Sequence, residues 1–252
     1  MNETGYVKTE YLEGIKKITF FHPKGNSLPS ELLTALACEI TLSGKEPESR
    51  VIILQSEGEK VFCSGASFDE LLSIKTHEEG RTFFLGFGNV ILAMKNCPKM
   101  IIGRIQGKIV GGGLGIVSAC DYTIAHQSAS VRLSEFSLGI GPFVIASAVA
   151  RKMGTAAFSR LTTDTEWYDS HWAKQNGLFY DVVDSIEELD NKVNKLSAKL
   201  AGYSPQAAGE LKKLLWHGTD DWEQLIQQRA ETVGNLVLSD FTRDYLKQFI
   251  DK

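Results

Sequence analysis

Two stretches of the sequence combine glycines with the start of a helix, a pattern that can supply backbone hydrogen-bond donors to a ligand. They are "VIILQSEGEKVFCSGASFDELL", residues 51–72, and "MIIGRIQGKIVGGGLGIVSACD", residues 100–121. Each runs from a strand-like apolar segment through glycine into a first helical turn. The N–H groups of a first turn have no intrahelical partner and lie at the positive end of the helix dipole. Two such donors that meet at one point would form an oxyanion hole.

Other glycine-loop chemistries can be tested on residue spacing. A Walker phosphate loop places Lys and then Ser or Thr after its last glycine, but Leu114 and Gly115 follow Gly113 here. A G-x-G-x-x-G dinucleotide fingerprint would need glycine where Ile116 stands. Both fail. For either loop alone, tight packing of a helix against a strand remains the simpler interpretation.

The segments around these loops alternate between strands and helices. Residues 6–21 favour a hairpin that turns at Glu13-Gly14, and residues 51–56 favour a buried strand. A helix is predicted from Pro29 to about Ser43, with Ser30 as its N-cap, and another over residues 76–96, where phenylalanines recur at helical spacing.

The second half of the chain continues this alternation and then becomes mostly helical. Residues 99–110 favour one strand that runs into the second glycine loop, and residues 186–202 keep a helical period. The order predicts a mixed α/β layer architecture. We expect a core domain over residues 1–200 and a C-terminal helical extension over residues 201–252 that packs on it or on a neighbouring subunit.

Composition excludes several classes of function. The 252 residues are 43% hydrophobic and 23% charged, with a net charge of −4 and no basic run that would bind nucleic acid. Four cysteines without CxxC spacing and five scattered histidines suggest neither a disulfide framework nor a metal site. We find no targeting segment or membrane-spanning run, so we expect a soluble, cytoplasmic protein with no membrane partner.

These loops, together with three further segments, make the sequence recognisable. It resembles the crotonase (enoyl-CoA hydratase/isomerase) superfamily over nearly its whole length and in the expected order. The segments that carry the resemblance are "HPKGNSL", "VFCSGASFDEL", "IQGKIVGGGLGIVSACDYTIA", "ASVRLSEFSLGIGP" and "WAKQNGLFYDVVD". The closest motif match is to the branch that acts on 3-methylglutaconyl and 3-hydroxy-3-methylglutaryl thioesters.

The resemblance implies a fold, a substrate and a set of site residues. The fold would be an α/β spiral of repeated ββα units with a C-terminal helical trimerisation region, assembled as a homotrimer or homohexamer. The substrate would be an acyl-CoA thioester, or one delivered by acyl-carrier protein, with coenzyme A as part of the substrate and no prosthetic group. The backbone N–H groups of Ala66 and Gly112 would hold the thioester oxygen. Glu135 would be the general acid/base, although an isolated glutamate is more often a solvated charge.

The sequence departs from the family pattern at one important position. Family hydratases carry a second glutamate where this chain has Gly115, so activation of water by two carboxylates is in doubt. Two reactions remain: hydration or dehydration of a branched thioester, whose tertiary 3-hydroxyl leaves more easily, and Δ3,Δ2-enoyl-CoA isomerisation by one glutamate. We rank the branched-substrate hydratase first. A third, weaker hypothesis is a non-catalytic or RNA-binding relative, which the acidic net charge disfavours.

Further residues are candidates for substrate contact. Lys24, Ser64, Ser67 and Phe68 flank the first loops and could meet the nucleotide or pantetheine of CoA, although Ser67 replaces the family's usual aspartate and a solvated loop lysine is nearly as common. The bulky run from Phe143 to Ile145 should make long straight acyl chains poor substrates. For Asp121 we expect a structural role at the start of a strand.

Overall fold

Strands and helices alternate through the first 185 residues, and helices alone follow. The computed structural model describes residues 5–250, with side chains through residue 248. The strands are β1 (Tyr6–Leu12), β2 (Ile15–Phe21), β3 (Val51–Ser56), β4 (Val61–Cys63), β5 (Met100–Ile105), β6 (Lys108–Val110), β7 (Tyr122–His126), β8 (Ser130–Arg132), β9 (Tyr168–Asp169) and β10 (Asp181–Val183). The helices are α1 (Ser30–Lys45), α2 (Phe68–Ser73), α3 (His77–Asn96), α4 (Gly112–Ala119), α5 (Ala146–Asp164), α6 (Ser170–Gln175), α7 (Ile186–Ala201), α8 (Pro205–Leu215), α9 (Trp222–Leu236) and α10 (Asp240–Ile250), and a short 3-10 helix spans Glu135–Leu138.

The strands of the described chain form two sheets, and a repeated pair of strands contributes one strand to each sheet. One sheet has the order β1-β2-β3-β5-β7-β10 and the other the order β4-β6-β8-β9. Pairing is parallel except between β1 and β2 and between β8 and β9. The pairs β3-β4, β5-β6 and β7-β8 each give one strand to each sheet before the chain enters a helix. The α/β spiral of repeated ββα units is therefore confirmed.

The prediction of a single strand over residues 99–110 is wrong, because the structure has two strands there. The chain forms β5 in the large sheet and β6 in the small one, and the short strand β4 was not predicted at all. Gln106 marks the corner between β5 and β6. Its buried side-chain amide donates to the carbonyl groups of Ser56 and Gly58, at 3.2 and 2.9 Å. These bonds tie the corner to the equivalent corner of the preceding repeat.

Helix α1 begins differently from the sequence prediction. Ser30 is its first helical residue rather than its N-cap, and Pro29 precedes it without a side-chain cap. The carboxylate of Glu70, 40 residues away, accepts hydrogen bonds from both the backbone N–H and the hydroxyl of Ser30, at 3.0 and 2.7 Å. A carboxylate from a distant part of the chain thus accepts a hydrogen bond from a free N–H group at the N-terminus of the helix.

The C-terminal helices pack on the core of the same chain. A large apolar cluster lies between the sheets and helices α1, α3, α4 and α5. A second cluster joins α3 to α9 and includes Phe83, Leu85, Ile226 and Val233. The domain boundary at residue 200 stays a prediction. No described helix is both long and apolar enough to cross a membrane.

Helix α8 is fixed to the core by a buried ion pair. The side chains of Lys212 and Asp121 are 3% and 6% exposed, and their charged atoms are 2.6 Å apart. Asp121 also accepts hydrogen bonds from the backbone N–H of Ile101 and from the indole of Trp216, at 2.8 and 3.2 Å. The acid at the end of the second glycine motif therefore joins β5 to the C-terminal helices, which is a structural role.

Candidate active site

A cavity of about 280 Å³ opens between the two glycine loops, the 3-10 helix and helices α3 and α9. The loops contribute Gly65, Ala66, Gly111 and Gly112 to its wall, and the 3-10 helix contributes Glu135. The rest of the wall is mostly apolar and includes Phe68, Leu71, Phe83, Phe84, Phe87, Val110, Leu138, Ile140, Pro142, Phe143, Val144, Ile145 and Val233. Among the described lining residues, Glu135 alone has an ionisable side chain.

The first loop directs the N–H of Ala66 away from the neighbouring chain segment. The carbonyl of Gly65 accepts a hydrogen bond of 2.8 Å from the N–H of Leu28. A trans peptide points its C=O and N–H in opposite directions, so the N–H of Ala66 points away from Leu28. Gly65 has φ +94°, a conformation that favours glycine. The N–H of Ala66 is therefore free to meet a ligand at the cavity wall.

The second loop presents the N–H of Gly112 at the start of α4. Gly111, with φ +55°, turns the chain, and its carbonyl accepts a hydrogen bond of 2.9 Å from the N–H of Leu114. The N–H of Gly112 therefore points out of the helix N-terminus. The two loops lie close together, because a Cβ on Gly65 would be 4.0 Å from the amide nitrogen of Gly112.

Phe87 of α3 packs against the backbone that carries the second donor. A Cβ on Gly112 would lie 2.6 Å from three ring carbons of Phe87, so the ring packs directly against the glycine. Phe87 itself is 5% exposed. The absence of a side chain at position 112 thus lets the aromatic ring hold the backbone of the loop in place.

The carboxyl group of Glu135 lies beside the second loop. Its Oε1 would be 3.0 Å from a Cβ on Gly111, and its Oε2 is buried without a hydrogen-bond partner among the described residues. Burial raises the pKa of Glu135 to about 7. A carboxyl with this pKa can both accept and donate a proton near neutral pH. The cavity therefore combines two outward backbone donors with one proton-transfer group.

A family model described as Enoyl-CoA hydratase/isomerase matches residues 10–247. The chain belongs to this family. A Bacillus subtilis (strain 168) protein named "Probable enoyl-CoA hydratase" is 29% identical over 237 residues, which are 93% of this chain and 92% of that protein. The rat (Rattus norvegicus) protein named "Methylglutaconyl-CoA hydratase, mitochondrial" is 31% identical over 182 residues, 72% of this chain and 58% of that protein. The crystal structure of an enoyl-CoA hydratase from Bacillus halodurans superposes with a TM-score of 0.89 at 25% identity, covering 96% of this chain and 99% of the other. The resemblance to the crotonase superfamily is confirmed.

Ile145 fills the space beside Gly115, where hydratases of the family would carry a second glutamate. A Cβ on Gly115 would lie 2.6 Å from Cγ2 and 2.8 Å from Cβ of Ile145, and 3.1 Å from Cδ1 of Ile91. These distances are shorter than ordinary contacts between carbon atoms. A side chain at position 115 would therefore have to displace Ile145, the apolar residue that lines the cavity beside it.

The residues proposed for contact with CoA separate into two groups. Ser64 and Phe68 line the cavity, whereas Lys24 and Ser67 do not. Lys24 forms an exposed ion pair with Asp69. The hydroxyl of Ser67 caps α2 by accepting a hydrogen bond of 3.3 Å from the N–H of Glu70. The roles of all four stay predictions.

Sequence reasoning missed part of the cavity wall. It anticipated Phe143, Val144 and Ile145, and all three line the cavity. The spacing of the phenylalanines of α3 predicts a helix, and the additional aromatic side chain at Phe84 is the signal that could have indicated a wider apolar face. Nothing in the sequence indicated that Val233 lines the cavity, because its place in the wall depends on how α9 packs against the core.

Proposed function

We propose that this protein catalyses the reversible hydration of a short or branched enoyl-CoA, with Glu135 as the acid/base. The observation that carries this proposal is a buried carboxyl of raised pKa beside two outward backbone N–H groups in one apolar cavity. Coenzyme A enters as part of the substrate, and the reaction needs no prosthetic group. Membership of the enoyl-CoA hydratase/isomerase family supports the same class of substrate.

The chemistry follows from what the donors stabilise. The thioester oxygen sits between the N–H groups of Ala66 and Gly112 and gains negative charge as an enolate develops. Each such donor contributes about 3 kcal/mol of transition-state stabilisation, because it is already oriented before the reaction. In the hydration direction the oxygen of water bonds to C3 and a proton reaches C2. In dehydration Glu135 takes the C2 proton and returns it to the departing hydroxyl.

A branched substrate suits a site with one carboxylate. With a methyl group on C3, the alcohol is tertiary and positive charge that develops at C3 is better stabilised. The demand on a second acid is then smaller, which fits a cavity where Ile145 occupies the space beside Gly115. The resemblance noted from the sequence offers 3-methylglutaconyl-CoA as one example of such a substrate.

The presence of one carboxyl group in the cavity also favours a second candidate, a Δ3,Δ2-enoyl-CoA isomerase. This reaction needs one base, which removes a proton from C2 and returns it to C4, and it needs no water. Ile145, which lines the cavity beside Gly115, would keep water away from the reacting carbons. Glu135 would carry the proton in both directions.

One experiment separates the two reactions. Purified protein is incubated in water labelled with oxygen-18, first with 3-methylcrotonyl-CoA and then with 3-hexenoyl-CoA. A hydratase removes the absorbance of the conjugated enoyl thioester and incorporates labelled oxygen. An isomerase creates that absorbance from the 3-enoyl substrate without incorporating label. If neither substrate changes at high protein concentration, the proposed function is wrong.

Assembly and location belong to the same proposal. We infer a homotrimer or homohexamer in the cytoplasm, as family membership suggests, with acyl-CoA or an acyl-carrier-protein thioester as the partner molecule. Binding of nucleic acid is not expected at a net charge of −4. Light scattering on the purified protein measures the assembly directly.

A further inference from the structure

Two acyl groups that differ only by an added carboxylate would meet the cavity very differently. The apolar lining includes five phenylalanines, Phe68, Phe83, Phe84, Phe87 and Phe143. Of the described residues in the lining, none is a lysine, arginine or histidine. Glu135 is the ionisable group there, and in its charged form it is an anion. An acyl group with its own carboxylate would therefore find no counter-ion and one like charge.

Two cations on nearby segments, Lys24 and Arg229, contact residues outside the lining. Lys24 pairs with Asp69 outside the lining, and both side chains are exposed. Arg229 lies one turn before Val233 on α9, but its guanidinium donates a hydrogen bond of 2.6 Å to the hydroxyl of Ser147 near the start of α5. Arg229 does not line the cavity. Neither side chain is therefore part of the wall that an acyl carboxylate would meet.

We propose that the acyl group of the substrate is uncharged and apolar, and that the cavity rejects acyl chains that carry a second carboxylate. This inference rests on the proposed function for the site and names its substrate class. A carboxylate taken out of water needs a paired charge or several hydrogen bonds. The described lining offers no cation, and its side-chain hydrogen-bond donors are the hydroxyls of Ser64 and Ser134. The branched enoyl thioester expected from the sequence is therefore of the 3-methylcrotonyl type rather than the 3-methylglutaconyl type.

The test compares thioesters that differ only in the carboxylate. Isovaleryl-CoA and 3-methylglutaryl-CoA are saturated and cannot be hydrated, so their binding can be measured by calorimetry without turnover, with free CoA as the reference. We expect isovaleryl-CoA to bind about 100-fold more tightly, the penalty of one unpaired buried charge. Equal affinities within about threefold, or tighter binding of 3-methylglutaryl-CoA, would overturn the proposal.

Turnover of the unsaturated pair then separates this inference from the proposed function. If 3-methylcrotonyl-CoA and 3-methylglutaconyl-CoA react equally well, the proposed function stands and the charge selectivity is wrong. If neither reacts but isovaleryl-CoA still binds selectively, the selectivity stands and the hydratase assignment is wrong. The two failures are therefore distinguishable.

A pair of variants tests the physical cause. Phe84 is a half-buried residue of the wall, so Phe84→Lys can bring a cation to the lining while its chain stays along the apolar surface. Phe84→Met is the matched control, of similar length without the charge. We expect the preference for isovaleryl-CoA to fall about tenfold or more in Phe84→Lys relative to Phe84→Met. The same preference in both variants would contradict the missing counter-ion as its cause.

Discussion

Gly115→Ala should be tolerated better when Ile145 is shortened, because the new methyl group and the isoleucine compete for one space. The added Cβ would lie 2.6 Å from Cγ2 of Ile145 and 2.8 Å from its Cβ. Carbon atoms that do not share a bond prefer about 3.5–4.0 Å, so the two chains must separate by roughly 1 Å. The contact explains why a second carboxylate cannot simply be added at this point of α4.

The expected magnitudes come from two opposing effects. Overpacking of this kind costs about 1–3 kcal/mol, while replacing glycine by alanine inside a helix gains about 1 kcal/mol. Gly115→Ala should therefore lower the free energy of unfolding by about 0–2 kcal/mol. Ile145→Ala removes a buried side chain, 3% exposed in the native protein, and should cost about 2–5 kcal/mol.

A double-mutant cycle isolates the contact. Denaturant unfolding of the two single variants and the double variant, at one protein concentration, should give a favourable coupling of about 1 kcal/mol or more, since Ile145→Ala removes the closest atom. Ile145→Val keeps Cγ2 and Cβ, so it should show no relief in the Gly115→Ala background. If the alanine variants are additive within about 0.5 kcal/mol, the steric account of position 115 is refuted.

Three further predictions concern buried charge. Burial raises the pKa of Glu135 from 4.5 to about 7, so the free energy of unfolding falls by up to about 3 kcal/mol as pH rises through this interval. In denaturant titrations, Glu135→Gln should therefore be more stable than wild type at pH 8 and no more stable at pH 4. If Glu135 acts as the base, kcat/KM for dehydration or isomerisation should rise with pH to a plateau above about pH 7, and a profile that is flat from pH 5 to 9 would argue against this role. Lys212→Met should lower the free energy of unfolding by about 3–5 kcal/mol, because it leaves the charge of Asp121 buried and unpaired. Adding Asp121→Asn should recover part of this loss in thermal unfolding, and full additivity of the two substitutions would contradict the buried pair.

Local sequence patterns predicted the elements whose faces repeat over many residues. The phenylalanines of α3 recur at helical spacing, and the hairpin of β1 and β2 turns at Glu13-Gly14, so both elements follow from neighbouring residues alone. The corner at Gln106 and the start of α1 at Ser30 could not be predicted in this way. Their hydrogen bonds join residues about 40 to 50 positions apart in the chain.

The candidate site shows the same division. The two glycine loops predicted outward N–H groups, because the first N–H groups of a helix have no partner within the helix. Glu135 was found by its match to a family motif, and its raised pKa depends on a wall that comes largely from other segments. Ile145 beside Gly115 and Val233 on α9 become visible only when distant helices pack together.

The most direct test of the account is the exchange of the C2 hydrogens of butyryl-CoA in heavy water, followed by proton NMR. This step needs only a held thioester oxygen and a base, so it is common to the hydratase and the isomerase. We predict that wild-type protein exchanges these hydrogens and that Glu135→Gln slows the exchange about 100-fold or more. Exchange at the wild-type rate in the variant, with butyryl-CoA bound equally well, would show that Glu135 does not move the proton.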